Sequence, residues 1–396
     1  MNLRVESPPE CAVTIVPITG QPKTGIRREK PRLGRQVHVL RFDQLTEHHL
    51  KSWQAIRSLR AEFNTPFFST QFSAAVHRAR GDVEVAIVSE DNQIIGFLPF
   101  QRVNNVAHPV GRCFNDAHNL IAEKDAGIDW IWLLEQIDVK AYDFHAMLGS
   151  SPQRLGPKNH IGTIASFCAT LGDDSQAFLA KISKRHKTIR RQPQKTRKMA
   201  REIGPVQLEI DCRSTDLLDQ TIRWKRDQYN RTNILDFFTP KWTRDLLSGL
   251  FNPECLGELP GNARGLLSVL RAGENVVAAH YGIIEDDLLH YWFPTYDPKY
   301  ARYSPGTALF RQIVAAASDH GIRYIDMGYG EQPYKLKQTD TKSEITYGCI
   351  SRSSMYRRWR NLETAAVGMI KQAPMKESLK RVWRRIQPQA GISKLR

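Results

Sequence analysis

The sequence predicts an α/β (α+β) protein assembled from two copies of one unit with a mixed central sheet. Three observations carry this. The order strand, helix, helix, hairpin, loop, helix, strand appears before residue 150, and a similar order returns after residue 174. Each half holds a hairpin signal: Asp91-Asn92 joins apolar runs at 83–89 and 94–102, and Glu285-Asp286-Asp287 joins Val276–Ile284 to Leu288–Tyr296. Finally, Ser304-Pro305-Gly306 opens a helix with Ala308, Leu309, Ile313, Val314, Ala316 and Ala317 on one face, which returns to a short buried strand.

Residues 1–36 carry Pro8, Pro9, Pro17, Pro22 and Pro31 with the basic run Arg27-Arg28-Glu29-Lys30, the composition of a disordered leader. Order begins at the strand Val37–Leu40. Leu50, Trp53, Ile56, Leu59 and Phe63 recur at helical spacing within Glu47–Phe63. A turn through Pro66 leads into a helix over Thr70–Arg80, then the first hairpin. A loop through Pro109, Gly111 and Asp116 precedes a helix over Asp129–Gln136 and a strand over Lys140–Leu148. Pro152, Gly156, Pro157 and Gly162 place the boundary between halves within 150–170.

The second half supplies a helical run from Asp174, a strand over Val206–Asp211, and helices over Asp216–Tyr229 and Lys241–Phe251. A strand over Leu266–Ala272, the second hairpin, the Ser304 helix closed by Gly321 and a strand over Arg323–Met327 complete it. The chain thus divides into a leader (1–36), a first unit (37–165), a second unit (166–355) and a basic helical tail (356–396).

The 396 residues suffice for two full cores, and 41% hydrophobic with 25% charged residues is a globular composition. No run approaches a membrane span, and the N-terminus lacks a secretory pattern. Cysteines 11, 113, 168, 212, 255 and 349 show no metal-ligand spacing, so no metal is expected and the thiols read as reduced in the cytoplasm.

A net charge of +16 implies an anionic partner without naming it. Lys181–Arg201 holds ten Lys or Arg and no acid, and Pro193 is expected to interrupt a single helix there. The run reads either as a solvated face over the second unit or as a clamp on an anionic substrate or RNA. It lacks interleaved aromatics for stacking bases. The tail from Arg352 onward, with Trp383 among its arginines, suits a solvated helix or one lying on an anionic membrane. A peripheral place at the inner membrane surface therefore stands beside the cytoplasmic one.

A start such as Ser304-Pro305-Gly306 offers a cap, a first-turn proline and an approachable backbone, which together suit a phosphate or pyrophosphate; many helices nevertheless begin this way. Other segments sharpen the reading. Asn64-Thr65-Pro66-Phe67-Phe68-Ser69, Gly96-Phe97-Leu98-Pro99, Trp292–Asp297, Ser304-Pro305-Gly306, and Asp326-Met327-Gly328-Tyr329-Gly330 with Tyr334-Lys335 follow in that order within residues 38–350. With them the chain resembles the CelD/BcsL-type GNAT acyltransferases, whose domain is called BioF2-like, relatives of the FemAB peptidyltransferases.

The resemblance implies tandem GNAT-like domains in a FemAB-like arrangement. The first would be a degenerate copy that shapes the acceptor groove, the second the catalytic one. It also implies acetyl-CoA or another acyl-CoA as co-substrate, with no metal. The strand before the pyrophosphate helix would splay from the strand after it, and the acyl-pantetheine would enter between them. The family phosphate motif, Gln/Arg-x-x-Gly-x-Gly/Ala, falls on Tyr303, Gly306 and Ala308. Tyr303 departs from it, with Arg302 one residue earlier, which leaves aminoacyl-tRNA open as the donor. The expected donor-binding set is Arg302, Ser304, Gly306, Thr307 and Ala308.

Acyl transfer needs a base, oxyanion donors and an acid for the leaving group. His280, a polar residue in an apolar run, is the candidate base, against the alternative of a core histidine; for His290 the core reading is the stronger. Asp326 either orients or deprotonates the acceptor, or caps the following glycine turn. Tyr334 is the candidate acid and Lys335 an anchor for phosphate or an acidic acceptor, while Trp292, Tyr296 and Tyr329 fall on the substrate side. The expected reaction moves acetyl onto an amine or hydroxyl of a sugar or envelope-polysaccharide precursor. An aminoacyl-tRNA-dependent transferase and a non-catalytic scaffold on an anionic surface are the alternatives.

Overall fold

The structure, a computed structural model, describes residues 34–149, 155 and 159–372. The expected leader up to residue 33, positions 150–154 and 156–158 of the boundary segment, and the tail beyond 372 lie outside the described residues. The first half contains β1 (Arg35–Arg41), α1 (Glu47–Ser58), α2 (Thr70–Arg80), β2 (Val83–Glu90), β3 (Gln93–Val103), β4 (Val106–Pro109), β5 (Ile121–Ala122), α3 (Trp130–Gln136) and β6 (Ala141–Met147). The chain then forms β7 (His160–Thr170), α4 (Ser175–Arg185), α5 (Lys187–Glu202), β8 (Val206–Glu209), α6 (Thr215–Thr232), α7 (Lys241–Phe251) and β9 (Arg264–Ala272). It ends with β10 (Asn275–Glu285), β11 (Leu288–Tyr296), α8 (Pro305–Ala316), β12 (Tyr324–Tyr329), α9 (Lys335–Gln338), β13 (Thr341–Ser351) and α10 (Ser354–Gln372). No helix among the described residues is long and apolar enough to cross a membrane.

Local chemistry sets the boundaries. Ser69, Asp129 and Asp174 accept N–H groups from the first turns of α2, α3 and α4, and Gly81 ends α2 in the left-handed region. Asp91 and Asn92 both adopt positive φ, 51° and 66°, as a two-residue hairpin turn requires. Pro193 does not break its helix: α5 runs through it. The Ile189 carbonyl, which a residue other than proline at 193 would engage, is instead approached by Arg311 Nη1 of α8 at 3.5 Å.

All thirteen strands join one sheet in the order β1-β2-β3-β4-β6-β13-β7-β12-β11-β10-β9-β8, with β5 added on β3. β7 and β13, neither expected from the sequence, join the strands of the two halves. β7 leaves the first half to pair with β12, and β13 returns to lie between β6 and β7. Among the strand pairs of the described residues, only β4–β6 and β11–β12 are parallel. The first pairs Val106 with Ala141 and Ala107 with Tyr142; the second runs only from Leu288↔Tyr324 to His290↔Asp326. Beyond these pairs the strands part, so each half carries one splay.

Helices α1, α2, α6 and α7 share a core with Trp53, Phe72, Ile222 and Leu246 that spans both halves. A second core under α4, α5 and α8 holds Phe178, Ile189, Phe310 and Ile313. The halves are also joined by charge. Glu285, expected in a hairpin turn, is 3% exposed and bound by both terminal nitrogens of Arg57 of α1, itself 4% exposed. Arg57 also donates to the carbonyls of Phe63 and Thr65, each at 3.0 Å.

Glu285→Ala strands this guanidinium in the interior and is expected to cost about 3–5 kcal/mol in denaturant unfolding, with the Arg57→Met/Glu285→Leu double variant losing less. A single-variant loss below about 1 kcal/mol, the range of an exposed pair, would contradict the pair's role in joining the halves.

Candidate active site

The splay of the second half begins at His290, the last residue of β11 in register with β12. Its Nδ1 lies 2.9 Å from Asp326 Oδ2, while Asp326 Oδ1 accepts the Gly328 N–H at 2.9 Å. Asp326 therefore orients a ring and caps the glycine turn at once. On the other side, Nε2 of His290 lies 3.2 Å from Oδ2 of Asp116, which comes from the first-half loop between β4 and β5. Gly328 makes that approach feasible: its φ is 65°, and a Cβ there would collide with Asp116 Oδ2 and sit 3.2 Å from His290 Cε1.

The His290 ring is fully buried, edge-on to Phe67 at 4.7 Å. Burial disfavours its charged form, but the carboxylates of Asp326 and Asp116 outweigh burial and push its pKa up to about 9. Burial likewise opposes the Asp326 carboxylate, yet His290 and the Gly328 N–H hold its pKa below the ordinary value. At neutral pH the centre is an imidazolium between two carboxylates. Lys335 joins it from α9. Expected as a surface anchor, it is 5% exposed, donates to the Tyr329 carbonyl at 2.6 Å, and has its pKa lowered by burial against the opposing pull of Asp116 and Asp326.

His280 is placed elsewhere. Its ring is fully buried, stacked on Tyr291 at 3.9 Å, and neither nitrogen has a hydrogen-bond partner among the described residues. Burial drives its pKa well below the usual value, so it is neutral. Tyr291 in turn meets Phe310 of α8, whereas His290 faces Phe67 and Trp292. The histidine in contact with the carboxylates is thus His290, for which the core reading was the stronger.

A cavity of 310 Å³ runs along β11 from Tyr291 to the start of α8, lined by Lys225, Tyr291, Pro294, Tyr296, Ser304, Gly306, Thr307 and Tyr334; His290, Asp116, Asp326 and Lys335 are not on its wall. A second, of 580 Å³, shares Ser304, Thr307 and Tyr334 with it and adds Lys187, Arg191 and Lys195 of α5 and Lys337 of α9. Ser304 does not cap α8: it adopts φ 55°, ψ 56°, and its Oγ accepts from Lys195 Nζ at 2.7 Å. Pro305 has no N–H, and the N–H groups of Thr307 and Ala308 turn back to the Ser304 carbonyl, leaving Gly306 as the first-turn donor. Positive charge at this end comes from side chains more than from backbone. The basic run, unresolved between face and clamp in the sequence, puts Lys187, Arg191 and Lys195 on the cavity wall.

Arg302 and Ala308 lie off both cavities. Arg302 pairs with Glu202 at 3.1 Å, and Ala308 is a core residue, 1% exposed. Tyr303 is buried and donates its hydroxyl to Glu202 at 2.5 Å, so a core tyrosine occupies the first position of the phosphate motif. Of Trp292, Tyr296 and Tyr329, only Tyr296 lines the first cavity. Trp292 packs on Phe67, Phe72 and Phe114, and Tyr329 faces a cavity of 680 Å³ at the first-half splay, beside Asp143 and His145. Tyr334 lines both cavities at the start of α8, and burial raises its hydroxyl to about 12, so it stays protonated.

The sequence reading missed Lys225. It is 8% exposed, burial lowers its pKa to about 8, and Nζ donates at 2.9 Å to the carbonyl of Pro294 on the parted stretch of β11. Asp116, placed only within a loop, and Lys225, one charge among many on α6, carried no local signal. No cluster of three or more His, Cys, Asp or Glu suited to a metal occurs among the described residues.

The two carboxylates make His290 a measurable element. Its pairing contributes stability that is complete below the unfolded imidazole value of about 6.5 and is lost as pH rises through about 9. Asp116→Asn is expected to lower the ring's titration midpoint, read by NMR, below the wild-type value. An unchanged midpoint would show that Asp116 does not act on the ring.

Residues 183–336 match the family profile described as an acetyltransferase (GNAT) domain. No curated protein matches the chain. Among solved structures, FemX aligns with a TM-score of 0.55 at 10% identity, over 82% of this chain and 99% of its own. A tandem GNAT protein from the clavulanic acid biosynthesis pathway aligns at 0.46 and 10% identity, over 81% of this chain and 99% of its own. The C-terminal domain of a putative lysylphosphatidylglycerol synthetase from Agrobacterium fabrum aligns at 0.47 and 11% identity, over 80% and 96%. Identities this low speak for fold alone, and the likeness to FemX agrees with the paired splays. The chain has the tandem GNAT-like, acyltransferase-type fold, with the acetyltransferase (GNAT) domain match confined to its second half.

Proposed function

We propose that the protein is an acyltransferase whose donor lies in the cleft between β11 and α8 and whose acceptor meets it where β11 and β12 part. The carrying observation is the His290 ring set between Asp326 and Asp116 where β11 and β12 part, on a strand whose next stretch, from Tyr291 to Tyr296, walls a cavity that adjoins a cationic one. An amine or hydroxyl of the acceptor attacks the donor carbonyl, and the bond to the leaving group breaks. In this reading Asp116 receives the acceptor's proton, while His290 or Tyr334 supplies one to the leaving group. Asp326 keeps the ring oriented, and Lys225 adds positive charge beside the parted strand.

Acetyl-CoA or another acyl-CoA is the proposed donor, with its phosphates near Gly306, Thr307 and Lys195. The proposed acceptor is a sugar or cell-envelope polysaccharide precursor, and that choice rests on the family resemblance alone. The proposed location is the cytoplasm, where such donors are made. Two observations favour a second reading, an aminoacyl-tRNA donor: the four cations of the second cavity, and the tyrosine at the start of the phosphate motif.

Calorimetric titration of the nucleic-acid-free protein with acetyl-CoA tests the choice. Binding is expected, lost in Gly306→Asp, weakened in Lys195→Ala and kept in His290→Asn. In a subsequent acceptor screen, His290→Asn should fall by about 10²-fold or more in turnover. Absence of acetyl-CoA binding, with salt-sensitive binding of aminoacyl-tRNA instead, would select the second reading.

A further inference from the structure

α10 carries its large apolar residues on its outer face. Met355, Trp359 and Leu362 are 80%, 55% and 70% exposed, and their spacing puts them on one stripe. The inner face is held by polar contacts. The Tyr356 hydroxyl donates to Asp143 Oδ2 of β6 at 2.9 Å, and Arg360 Nε lies 3.0 Å from the same carboxylate. These bonds fix the rotation of the helix about its axis, so the stripe is held outward. That inverts the arrangement by which a surface helix normally covers its own protein, and three large apolar side chains grouped outward ask for a partner.

Charge says what kind. Residues 352–396 contain twelve Lys or Arg against only Glu363 and Glu377, a large share of the chain's net charge of +16. Arg358 is exposed within the stripe itself, and Arg352 and Arg357 lie close by in the chain. A tryptophan, a methionine and a leucine among arginines match a helix lying in the headgroup region of an anionic bilayer. A second copy of the chain would bring two such basic segments together and be repelled.

We propose that the outer face of α10 is a docking surface for an anionic phospholipid bilayer. Tyr356, Trp359 and Arg360 also wall the 680 Å³ cavity at the first-half splay, so docking holds that cavity beside the membrane. The inference stands apart from the acyl-transfer reading, because its test needs no activity.

The full chain is mixed with phosphatidylcholine vesicles, with and without phosphatidylglycerol, and sedimented. The wild type is expected to sediment with the anionic vesicles and remain in solution with the zwitterionic ones. Met355→Ser/Trp359→Ser/Leu362→Ser should weaken the anionic binding about tenfold or more, with an unchanged melting temperature because all three side chains are exposed. Three results would each overturn the proposal: a wild type left in solution by anionic vesicles, a triple variant that binds them equally well, or a wild-type dimer that the triple variant dissolves.

Discussion

The approach of Asp116 to His290 depends on the exchange of β7 and β13 between the halves. Had each half kept its own strands, two sheets could have met at a variable angle, as ordinary domains do. Instead β13 hydrogen-bonds to β6 on one side and β7 on the other, and β7 continues onto β12. The register of backbone hydrogen bonds therefore fixes how the first half sits against the second. Asp116 needs that precision to reach a histidine on the other half. The irregularity in β12 between Asp326 and Tyr329 contains Gly328, where the loop comes closest.

Burying an imidazolium between carboxylates is costly in isolation, and the surroundings show how the cost is offset. Asp116 and Asp326 bring two negative charges; His290 and Lys335 bring two positive ones. The cluster is near neutral, and each carboxylate has a specific partner, which is the condition under which buried charge is tolerated. The cavity at the start of α8 is built differently. Among the described residues no acid lines it: Lys187, Arg191 and Lys195 share one helix wall, and Lys195 donates to the Ser304 hydroxyl. That imbalance suits an anionic guest, whereas the balanced centre suits proton transfer.

Much of the fold was legible because it rests on local rules. The hairpin at Asp91-Asn92, the capped starts of α2, α3 and α4, and the helix after Ser304 are fixed by turn chemistry and apolar period. The two exchanged strands were not legible. β7 emerges from a segment whose prolines and glycines signal a linker, and β13 begins with four exposed residues, Thr341–Glu344, that show no apolar alternation. Pairing partners decide such strands, and those lie far away in sequence.

The site divides along the same line. Asp326, Gly306, Tyr334 and Lys335 sit in motifs that can be read locally. Asp116 and Lys225 gain meaning only from distant neighbours, and alternation along a strand cannot say that His290, not His280, meets the carboxylates. Arg302 shows the converse: beside the motif in sequence, it turns to Glu202 on α5.

The most direct test of this account is a crystal structure with a thioether analogue of acetyl-CoA. The account predicts phosphates against Gly306, Thr307 and Lys195, with the thioether sulfur at the point where β11 and β12 part, beside His290. An analogue bound in the first-half cavity, or with its phosphates away from the start of α8, would contradict it.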